Sequence, residues 1–195
     1  MPRISRAERE RNRIKLVAAF AAQIERDDGR APTVSSVSAE ADVARSAFYN
    51  YFTDIEELFR SYIDDAVTAL AAQISTALDP IDDPTARLVR FAELALAAFT
   101  TQGAAFNAAI DLGVDRSLAG SEDLTPIQRQ LIEILHDGAT RGRFAPTTAD
   151  PLVAEMILRA IGTHQRRLAL GHADPDRIRD MTTGFVLNAV GADRS

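Results

Sequence analysis

Apolar side chains recur every three or four positions along most of this chain, with polar side chains between them. That spacing places the apolar groups on one face of an α-helix. No run of four or more residues combines alternation with the β-branched enrichment that a strand would show. The pattern therefore predicts an all-α protein of about nine helices.

Breaks in the pattern mark where the predicted helices begin and end. Asp27-Asp28-Gly29 ends the first helix, which begins near Ala7, and the stretch 79–84 with its two prolines ends the fourth. Gly103 is predicted to interrupt the fifth helix. Three later helices each begin with a capping residue followed by proline, at Thr125-Pro126, Asp150-Pro151 and Asp174-Pro175.

The segment 33–52 predicts a helix, a tight turn and a second short helix. Thr33 can cap the first of these, because its hydroxyl can accept from the free N–H groups of the opening turn. In the second, Phe48 and Phe52 lie four residues apart and share one face, whereas Ser46 points directly away from them. This helix-turn-helix pattern predicts a short helix that is anchored by two rings and presents polar side chains outward.

The first helix and the two helices of the motif form a predicted three-helix head. An apolar stripe on the first helix is expected to pack against the motif, and it consists of Ile14, Val17, Ala21 and Ile24. The fourth helix begins after Thr53-Asp54 and runs to about Leu78. At 1.5 Å per residue it is about 36 Å long, which is enough to leave the head and enter the rest of the chain.

The run from Val43 to Phe52, followed by Glu56-Glu57-Leu58-Phe59, resembles the DNA-binding segment of the tetracycline-repressor (TetR) family of bacterial transcription regulators. The resemblance covers about the first third of the chain, and its most specific part is the Phe-Tyr-x-Tyr-Phe core. Three positions depart from the family pattern: Asp42 replaces the usual glycine, Ala47 a common threonine, and Ile55 a lysine that commonly meets a phosphate. The first departure requires a left-handed or bridging backbone, which Asp tolerates better than most residues.

The resemblance implies a sequence-specific DNA-binding transcriptional regulator, and more narrowly a repressor that releases its operator when a small apolar molecule binds. It implies a helix-turn-helix DNA-binding head at residues 1–54 and an effector-binding and dimerisation domain at residues 55–195. The implied partners are a palindromic double-stranded DNA operator, the apolar effector and a second copy of the chain. The residues expected at the DNA are Thr33, Arg45, Ser46, Ala47, Tyr49, Asn50 and Tyr51, with Thr33 and Tyr51 on phosphates.

The rest of the chain supplies two further sets of candidate residues. Its rings and branched chains suit a lipophilic effector with one or two polar handles, although a dry core would have the same composition. The candidate effector residues are Tyr62, Phe91, Phe99, Phe106, Asn107, Ile110, Leu131, Leu135 and Met156. The last two helices carry apolar seams that could pack within one subunit or join two, and the resemblance favours a homodimer. The candidate dimerisation residues are Leu152, Met156, Ala160, His164, Ile178, Met181, Phe185 and Ala189.

The distribution of charge qualifies the net charge of −6, which by itself disfavours a nucleic-acid partner. Residues 1–15 carry six basic and two acidic side chains, residues 1–62 carry ten of each, and the remainder carry 12 basic and 18 acidic. A basic arm and a neutral head on an acidic body suit a DNA-reading head joined to a ligand-sensing body. A solvated basic tail would carry the same charge, but the adjacent helix-turn-helix favours the first interpretation.

Several other classes of protein are disfavoured. The absence of cysteine excludes a disulfide scaffold and a thiolate metal site, and the three scattered histidines lack the spacing of metal ligands. No nucleophile elbow, phosphate loop or dinucleotide glycine pattern is present, so we expect neither catalysis nor a cofactor. No stretch is apolar enough to span a membrane and the first residues lack an apolar signal region, which predicts a cytoplasmic protein with no membrane partner.

One alternative function stays open at this point. The chain could be a helical ligand-binding or scaffolding protein whose head no longer binds DNA. Ala47 and Ile55 motivate this alternative, because each replaces a polar side chain that meets DNA in the family pattern, and the head carries no net positive charge.

Overall fold

The computed structural model describes residues 6–26, 31–111, 124–169 and 171–192, with side chains described except at 99–111 and 169. Within these residues the chain forms eight α-helices, one 3-10 helix and no strand, which confirms the predicted all-α class. The α-helices are α1 (Arg6–Arg26), α2 (Val34–Glu40), α3 (Arg45–Phe48), α4 (Ile55–Leu78), α5 (Pro84–Asp111), α6 (Pro126–Thr140), α7 (Pro151–Ala169) and α8 (Pro175–Ala189), and the 3-10 helix spans Pro146–Ala149. No helix within these ranges is both long and apolar enough to cross a membrane.

The chain divides into two compact units. The first, here called the head unit, comprises Met1–Ala66 and Ala104–Gly120, and the second, the body unit, comprises Val67–Gly103 and Ser121–Ser195. Helix α4 therefore contributes residues to both units. The functional boundary expected between residues 54 and 55 stays a prediction.

Helix α1 packs within the head unit through a face that differs from the predicted stripe. The prediction is wrong at Ile14, which is 55% exposed. The buried residues of α1 are Leu16, Ala19, Phe20 and Ile24. Apolar residues occur on overlapping faces of this helix, so periodicity alone allowed more than one stripe. The ring of Phe20 decides between them, because its centroid lies 5.6 Å from that of Phe59 and 5.8 Å from that of Tyr62.

Helix α5 is the longest helix in the described part of the chain and runs without interruption from Pro84 to Asp111, so the predicted break at Gly103 is wrong. A glycine inside a helix costs only about 1 kcal/mol relative to alanine. Burying a single leucine or phenylalanine contributes about 1.5–3 kcal/mol, and α5 buries both Leu88 and Phe91 in the core. The helix-breaking preference of one glycine is therefore smaller than the burial free energy of either side chain.

The three capping signals ahead of the later helices are confirmed. At α6, Thr125 Oγ1 accepts from the N–H of Gln128 at 3.3 Å, and Gln128 Oε1 accepts from the N–H of Thr125 at 2.7 Å. At α7, Asp150 Oδ1 accepts from the N–H of Leu152 at 2.9 Å. At α8, Asp174 Oδ1 accepts from the N–H of Asp176 at 2.8 Å. Each bond satisfies a backbone donor that a helix leaves free in its first turn.

Candidate nucleic-acid interface

The turn between α2 and α3 is closed by a left-handed residue. Asp42 has a φ of 53° and is the only non-glycine residue with positive φ in the described part of the chain. Its N–H donates to the carbonyl of Ala39 at 3.3 Å, and the N–H of Val43 donates to the carbonyl of Ser38 at 3.0 Å. These two bonds form a Schellman C-cap, so Asp42 occupies the position that glycine usually fills. The left-handed backbone expected for Asp42 is confirmed.

Thr33 caps the start of α2, as predicted. Its Oγ1 accepts from the N–H of Ser36 at 3.1 Å, and Ser36 Oγ accepts from the N–H of Thr33 at 3.0 Å. This reciprocal pair is a capping box, which satisfies two backbone donors at once. Thr33 is exposed, so its hydroxyl is accessible from solvent. Its contact with a phosphate stays a prediction.

Two buried rings anchor the short helix α3 and the turn after it. Phe48 and Phe52 are almost completely buried, and their ring centroids lie 5.8 Å apart, which confirms the anchoring predicted from their spacing. Tyr49 packs edge-on against Phe48 with centroids 5.6 Å apart and remains 54% exposed. One side of Tyr49 is thus fixed by Phe48 while the rest of its ring faces solvent.

The other predicted DNA contacts lie on the same short segment. Arg45, Ser46 and Asn50 are exposed, and Ala47 and Tyr51 are half-buried. Within the described residues the guanidinium of Arg45 forms no ion pair, so its five donors are available to a base edge or a phosphate. The structure brings these five residues together beside Tyr49, and their roles at DNA stay predictions.

Two neighbouring residues of α1 that the sequence did not single out bond other elements of the head unit, Asn12 this segment and Arg13 the helix α4. Asn12 Nδ2 donates to the hydroxyl of Tyr51 at 2.9 Å. Arg13 Nη2 donates to Ser61 Oγ and lies 3.6 Å from Asp65 Oδ2, both on α4. Asn12 lies four residues before the buried Leu16 and therefore on the same face of α1. Its direction toward the head could be predicted only if the buried face of α1 were already known.

A polar network joins α1 to α2 on the surface of the head unit. Gln23 Nε2 donates to Glu40 Oε2 at 2.8 Å, Gln23 Oε1 accepts from Ser36 Oγ at 2.8 Å, and Arg26 pairs with Glu40. The hydrogen bond from Gln23 and then that from Arg26 lower the pKa of Glu40 below its ordinary value. These bonds tie the C-terminal part of α1 to α2.

Helix α4 begins with a second set of side-chain caps. Asp54 Oδ1 accepts from the N–H of Glu57 at 2.7 Å, and Glu57 Oε2 accepts from the N–H of Thr53 at 2.5 Å and from its hydroxyl at 2.7 Å. The hydrogen bonds from Thr53 lower the pKa of Glu57. Ile55, where the family pattern has a lysine, is half-buried. The caps set the start of α4 directly after the anchored Phe52.

The last two helices present an apolar surface to solvent. Four large apolar side chains are exposed on it, namely Leu152 and Met156 of α7 and Met181 and Phe185 of α8. Ala189 is also exposed and Ala160 is half-buried. Ile178 is instead buried within the subunit, together with Val186 on the same face of α8. We refer to the exposed residues of this set as the α7–α8 face.

His164 lies at the edge of the α7–α8 face. Its Nδ1 lies 2.7 Å from the hydroxyl of Thr182 on α8, and that hydroxyl donates to the carbonyl of Ile178 at 2.7 Å. Burial lowers the pKa of the half-buried His164 ring, and the positive charge of Arg167 lowers it further. The histidine therefore ties α7 to α8 while its ring remains partly accessible.

The candidate effector residues fall into different places. Phe91, Leu131 and Leu135 are brought together, fully buried, in the core of the body unit. Tyr62 packs against Phe20 in the head unit, and burial raises the pKa of its hydroxyl. Met156 is on the α7–α8 face and is 59% exposed. The side chains of Phe99, Phe106, Asn107 and Ile110 lie outside the described residues, so a joint site for the whole set stays a prediction.

The described part of the body unit has surface concavities, of which two are considered as candidate effector sites. An open groove of about 420 Å³ runs along α4 and is lined by Ala72, Gln73, Thr76 and Ala77. A smaller polar cleft of about 60 Å³ is lined by Ser75, Leu78, Asp79, Arg87, Gln130, Glu133 and Ile134. None of the candidate effector residues lines either one. Among the described residues no group of histidine and carboxylate side chains is arranged to hold a metal ion.

Comparison with known proteins gives matches at the level of structure. No protein-family model and no curated protein sequence matches the chain. The fatty acid degradation regulator FadR from Bacillus halodurans superposes with a TM-score of 0.69 at 16% identity, over 90% of this chain and 94% of that one. A TetR family transcription regulator from Marinobacter aquaeolei gives 0.66 at 17% identity, over 97% and 100%.

A third solved structure, RolR in complex with the ligand resorcinol, gives a TM-score of 0.67 at 18% identity, over 97% of this chain and 92% of that one. All three matches span nearly the whole of both chains, although their sequence identity is low. The likeness in fold therefore covers nearly the whole chain. The chain has the fold of the TetR-family transcriptional regulators.

Proposed function

We propose that this protein is a sequence-specific DNA-binding transcriptional regulator, and that the short helix α3 with the turn after it reads the operator. The observation that carries the proposal is that this segment has one buried face and one exposed face. Phe48 and Phe52 are buried beneath it, while Arg45, Ser46 and Asn50 are exposed above them. Direct readout of base edges in the major groove requires exposed polar side chains on a helix that is fixed to the rest of the protein. This segment has both features.

The protein is proposed to act as a homodimer on a palindromic operator. Met156 and Phe185 are large apolar side chains exposed on the α7–α8 face, and a second copy of the same face would remove them from water. Helix-turn-helix proteins generally place two recognition helices about 34–36 Å apart, one DNA turn, to read two half-sites. Dimerisation therefore supplies the symmetry that a palindrome requires.

The regulator is further proposed to be a repressor that releases its operator when a small apolar effector binds the body unit. Its fold neighbours include a regulator of fatty acid degradation and a protein that binds resorcinol, which supports an effector of apolar or aromatic character. Helix α4 has residues in both units, so we propose that it transmits effector binding to the head.

Operator binding is tested by titrating the full-length protein with DNA from upstream of its own gene over a series of salt concentrations. Specific binding is expected to weaken steeply with salt, because phosphate contacts release counterions. Arg45→Ala is expected to cost about 1–3 kcal/mol and to relax the preference at one symmetric base pair. Arg90→Ala, which removes an exposed arginine from the body unit, is the matched control and should leave the affinity unchanged.

Binding no tighter than to unrelated DNA would instead support the alternative, a helical ligand-binding or scaffolding protein whose head has lost its operator. A loss for Arg45→Ala that is equal on every DNA sequence would show that Arg45 contacts a phosphate and not a base.

Induction is tested by titrating the protein with oleate and with resorcinol in the presence and absence of operator. A coupling free energy of about 1–3 kcal/mol between the two sites would weaken effector binding about 5–150-fold when operator is bound. Linkage requires the effector to weaken operator binding by the same factor. Equal effector affinities with and without DNA would exclude induction even if the effector bound tightly.

A further inference from the structure

We propose that Asn12 is a positioning residue for DNA binding, which holds the Tyr51 hydroxyl so that its proton is donated to a phosphate. The inference rests on the proposed function. It begins with a contact between residues 39 positions apart in sequence, in which Asn12 Nδ2 donates to Tyr51 Oη at 2.9 Å. A contact at this separation must come from the tertiary fold of the head unit and not from local structure.

The hydroxyl of Tyr51 has a single proton to donate and can also accept. Because Asn12 donates to it, the acceptor side of the hydroxyl is occupied and its proton is directed elsewhere. A phosphate oxygen has no proton and can only accept a hydrogen bond. The proton of the Tyr51 hydroxyl is therefore the group that can bind it. Without Asn12 neither in-plane orientation of the hydroxyl proton would be favoured over the other, and this bias would be lost.

The positions of both partners are fixed by neighbouring contacts. The N–H of Tyr51 donates to the carbonyl of Phe48 at 2.9 Å, and the next residue, Phe52, is buried. On α1 the residue after Asn12 is Arg13, which bonds Ser61 and lies near Asp65 on α4. The two ends of the Asn12–Tyr51 bond therefore belong to segments that are each held independently.

This arrangement predicts a distinctive dependence on salt. A neutral hydroxyl that donates to a phosphate displaces no counterion, because only cationic groups replace the condensed cations of DNA. Loss of the contact should therefore lower the affinity by the same factor at every salt concentration. Loss of an arginine–phosphate contact would in addition make the dependence on salt less steep.

The experiment is a double-mutant cycle on operator affinity with Tyr51→Phe, Asn12→Ala and the double variant in the full-length protein. Tyr51→Phe should weaken binding by about tenfold or more, since hydrogen bonds to charged groups are among the stronger ones. Asn12→Ala should weaken operator binding by a large part of that factor, although it leaves the Tyr51 side chain in place. The double variant should bind no worse than Tyr51→Phe, and the slope of affinity against salt should be unchanged in all three.

Gln23→Ala is the matched control, because Gln23 also lies on α1 and bonds another segment of the head, at Glu40 and Ser36. Its effect on operator affinity should add to that of Tyr51→Phe without coupling. Additive losses for Asn12→Ala and Tyr51→Phe, or an Asn12→Ala variant that binds operator like the parent, would overturn the positioning role. A lower melting temperature with no coupling in affinity would show that the bond serves the fold alone.

Failure of this inference is distinguishable from failure of the proposed function. If the parent binds operator specifically and the cycle is additive, only the role of Asn12 is wrong. If the parent binds its upstream DNA no better than unrelated DNA, the proposed function falls, and the positioning role falls with it.

Discussion

Four described helices end with a left-handed residue after their last turn, and one of the four carries a side chain. Gly142, Gly171 and Gly191 follow α6, α7 and α8 with φ between 63° and 68°, whereas Asp42 follows α2 with φ of 53°. In each case the next N–H donates back to a carbonyl five residues earlier, at 2.8–3.1 Å. A left-handed backbone costs a typical L-residue about 1–2 kcal/mol and costs glycine little. Among these four caps, the turn of the helix-turn-helix is therefore the one that places a side chain in a left-handed backbone.

Replacement of Asp42 should change stability according to backbone freedom. Asp42→Gly is expected to raise the free energy of unfolding by up to about 1 kcal/mol, and Asp42→Ala to lower it by about 1 kcal/mol, because alanine lacks the local hydrogen bonding that lets Asp adopt this region. Urea denaturation measures both differences. Equal stabilities for the glycine and alanine variants would contradict a left-handed residue 42.

A second residue-scale prediction concerns Gly138 in α6. A Cβ added there would lie 2.0 Å from Cδ2 of the buried Phe144 ring, so Gly138→Ala forces that ring to move. Overpacking of this kind typically costs about 1–3 kcal/mol. Gly162→Ala in α7 is the matched control, because its added Cβ has no contact within 4 Å beyond its chain neighbours and the backbone of its own helix, and alanine is the better helix former. We expect Gly138→Ala to melt below the parent and Gly162→Ala at or above it, and the reverse order would refute the close approach.

Sequence reasoning succeeded at residues whose role is set by near neighbours. Phe48 and Phe52 share a face because they are four residues apart, and Thr33 caps α2 because of its place before the first turn. It failed at Ile14 and could not find Asn12, because the direction of both depends on which face of α1 meets α4. That choice is made by side chains about 40 residues away, such as Phe59, which no local pattern contains.

At the scale of elements, the start of α4 and the junction of α1 with α2 both depend on a carboxylate. Hydrogen bonds from Thr53 lower the pKa of Glu57, and those from Gln23 and Arg26 lower the pKa of Glu40, each from an ordinary value of 4.5. A carboxyl whose pKa is lower in the folded state stabilises the fold above its unfolded pKa. That contribution disappears as the pH falls through the folded pKa. The head should therefore lose stability below about pH 4.5.

Glu57→Gln should remove part of this pH dependence. The variant is expected to melt below the parent at neutral pH and to approach it as the pH falls well below 4.5, the ordinary value for this carboxyl. Melting temperatures measured across this range give the comparison. Glu56→Gln removes a carboxylate from the same turn without breaking the bonds to Thr53, so it serves as control. A constant difference between Glu57→Gln and the parent at every pH would refute the assigned cause.

The start of a helix was predictable from the sequence where a capping residue precedes a proline. Whether a helix continues past a glycine was harder to predict. The capping side chains of Thr125, Asp150 and Asp174 each accept a hydrogen bond from a backbone N–H only two or three residues further along the chain. Such signals are visible in the local sequence. Gly103 is a local signal of the opposite kind, yet α5 continues through it to Asp111, and the same helix buries Leu88 and Phe91 in the core. Local preference decides a helix end only where tertiary burial does not oppose it.

At the scale of the whole molecule, the α7–α8 face determines the proposed assembly. Phe185→Glu places a charge on this face, and an unpaired charge buried between subunits costs several kcal/mol, so the dimer dissociation constant should rise by more than about a hundredfold. Sedimentation equilibrium measures this constant directly. Operator affinity should fall with it, since two heads would no longer be joined.

Leu124→Glu is the matched control for this prediction, because Leu124 is another exposed large apolar residue and lies outside α7 and α8. It should leave the dimer intact. If Phe185→Glu and Leu124→Glu sediment alike, the α7–α8 face is not the dimer interface.

The contact between His164 and Thr182 fixes which nitrogen of the ring carries hydrogen. Thr182 has one hydroxyl proton and donates it to the carbonyl of Ile178, so the hydroxyl can only accept from His164 Nδ1. The neutral ring is therefore the Nδ1–H tautomer, with its lone pair on Nε2. Acidification adds a proton at Nε2 and leaves the bond to Thr182 intact. The edge of the α7–α8 face can thus gain a positive charge without any loss of the bond between its two helices.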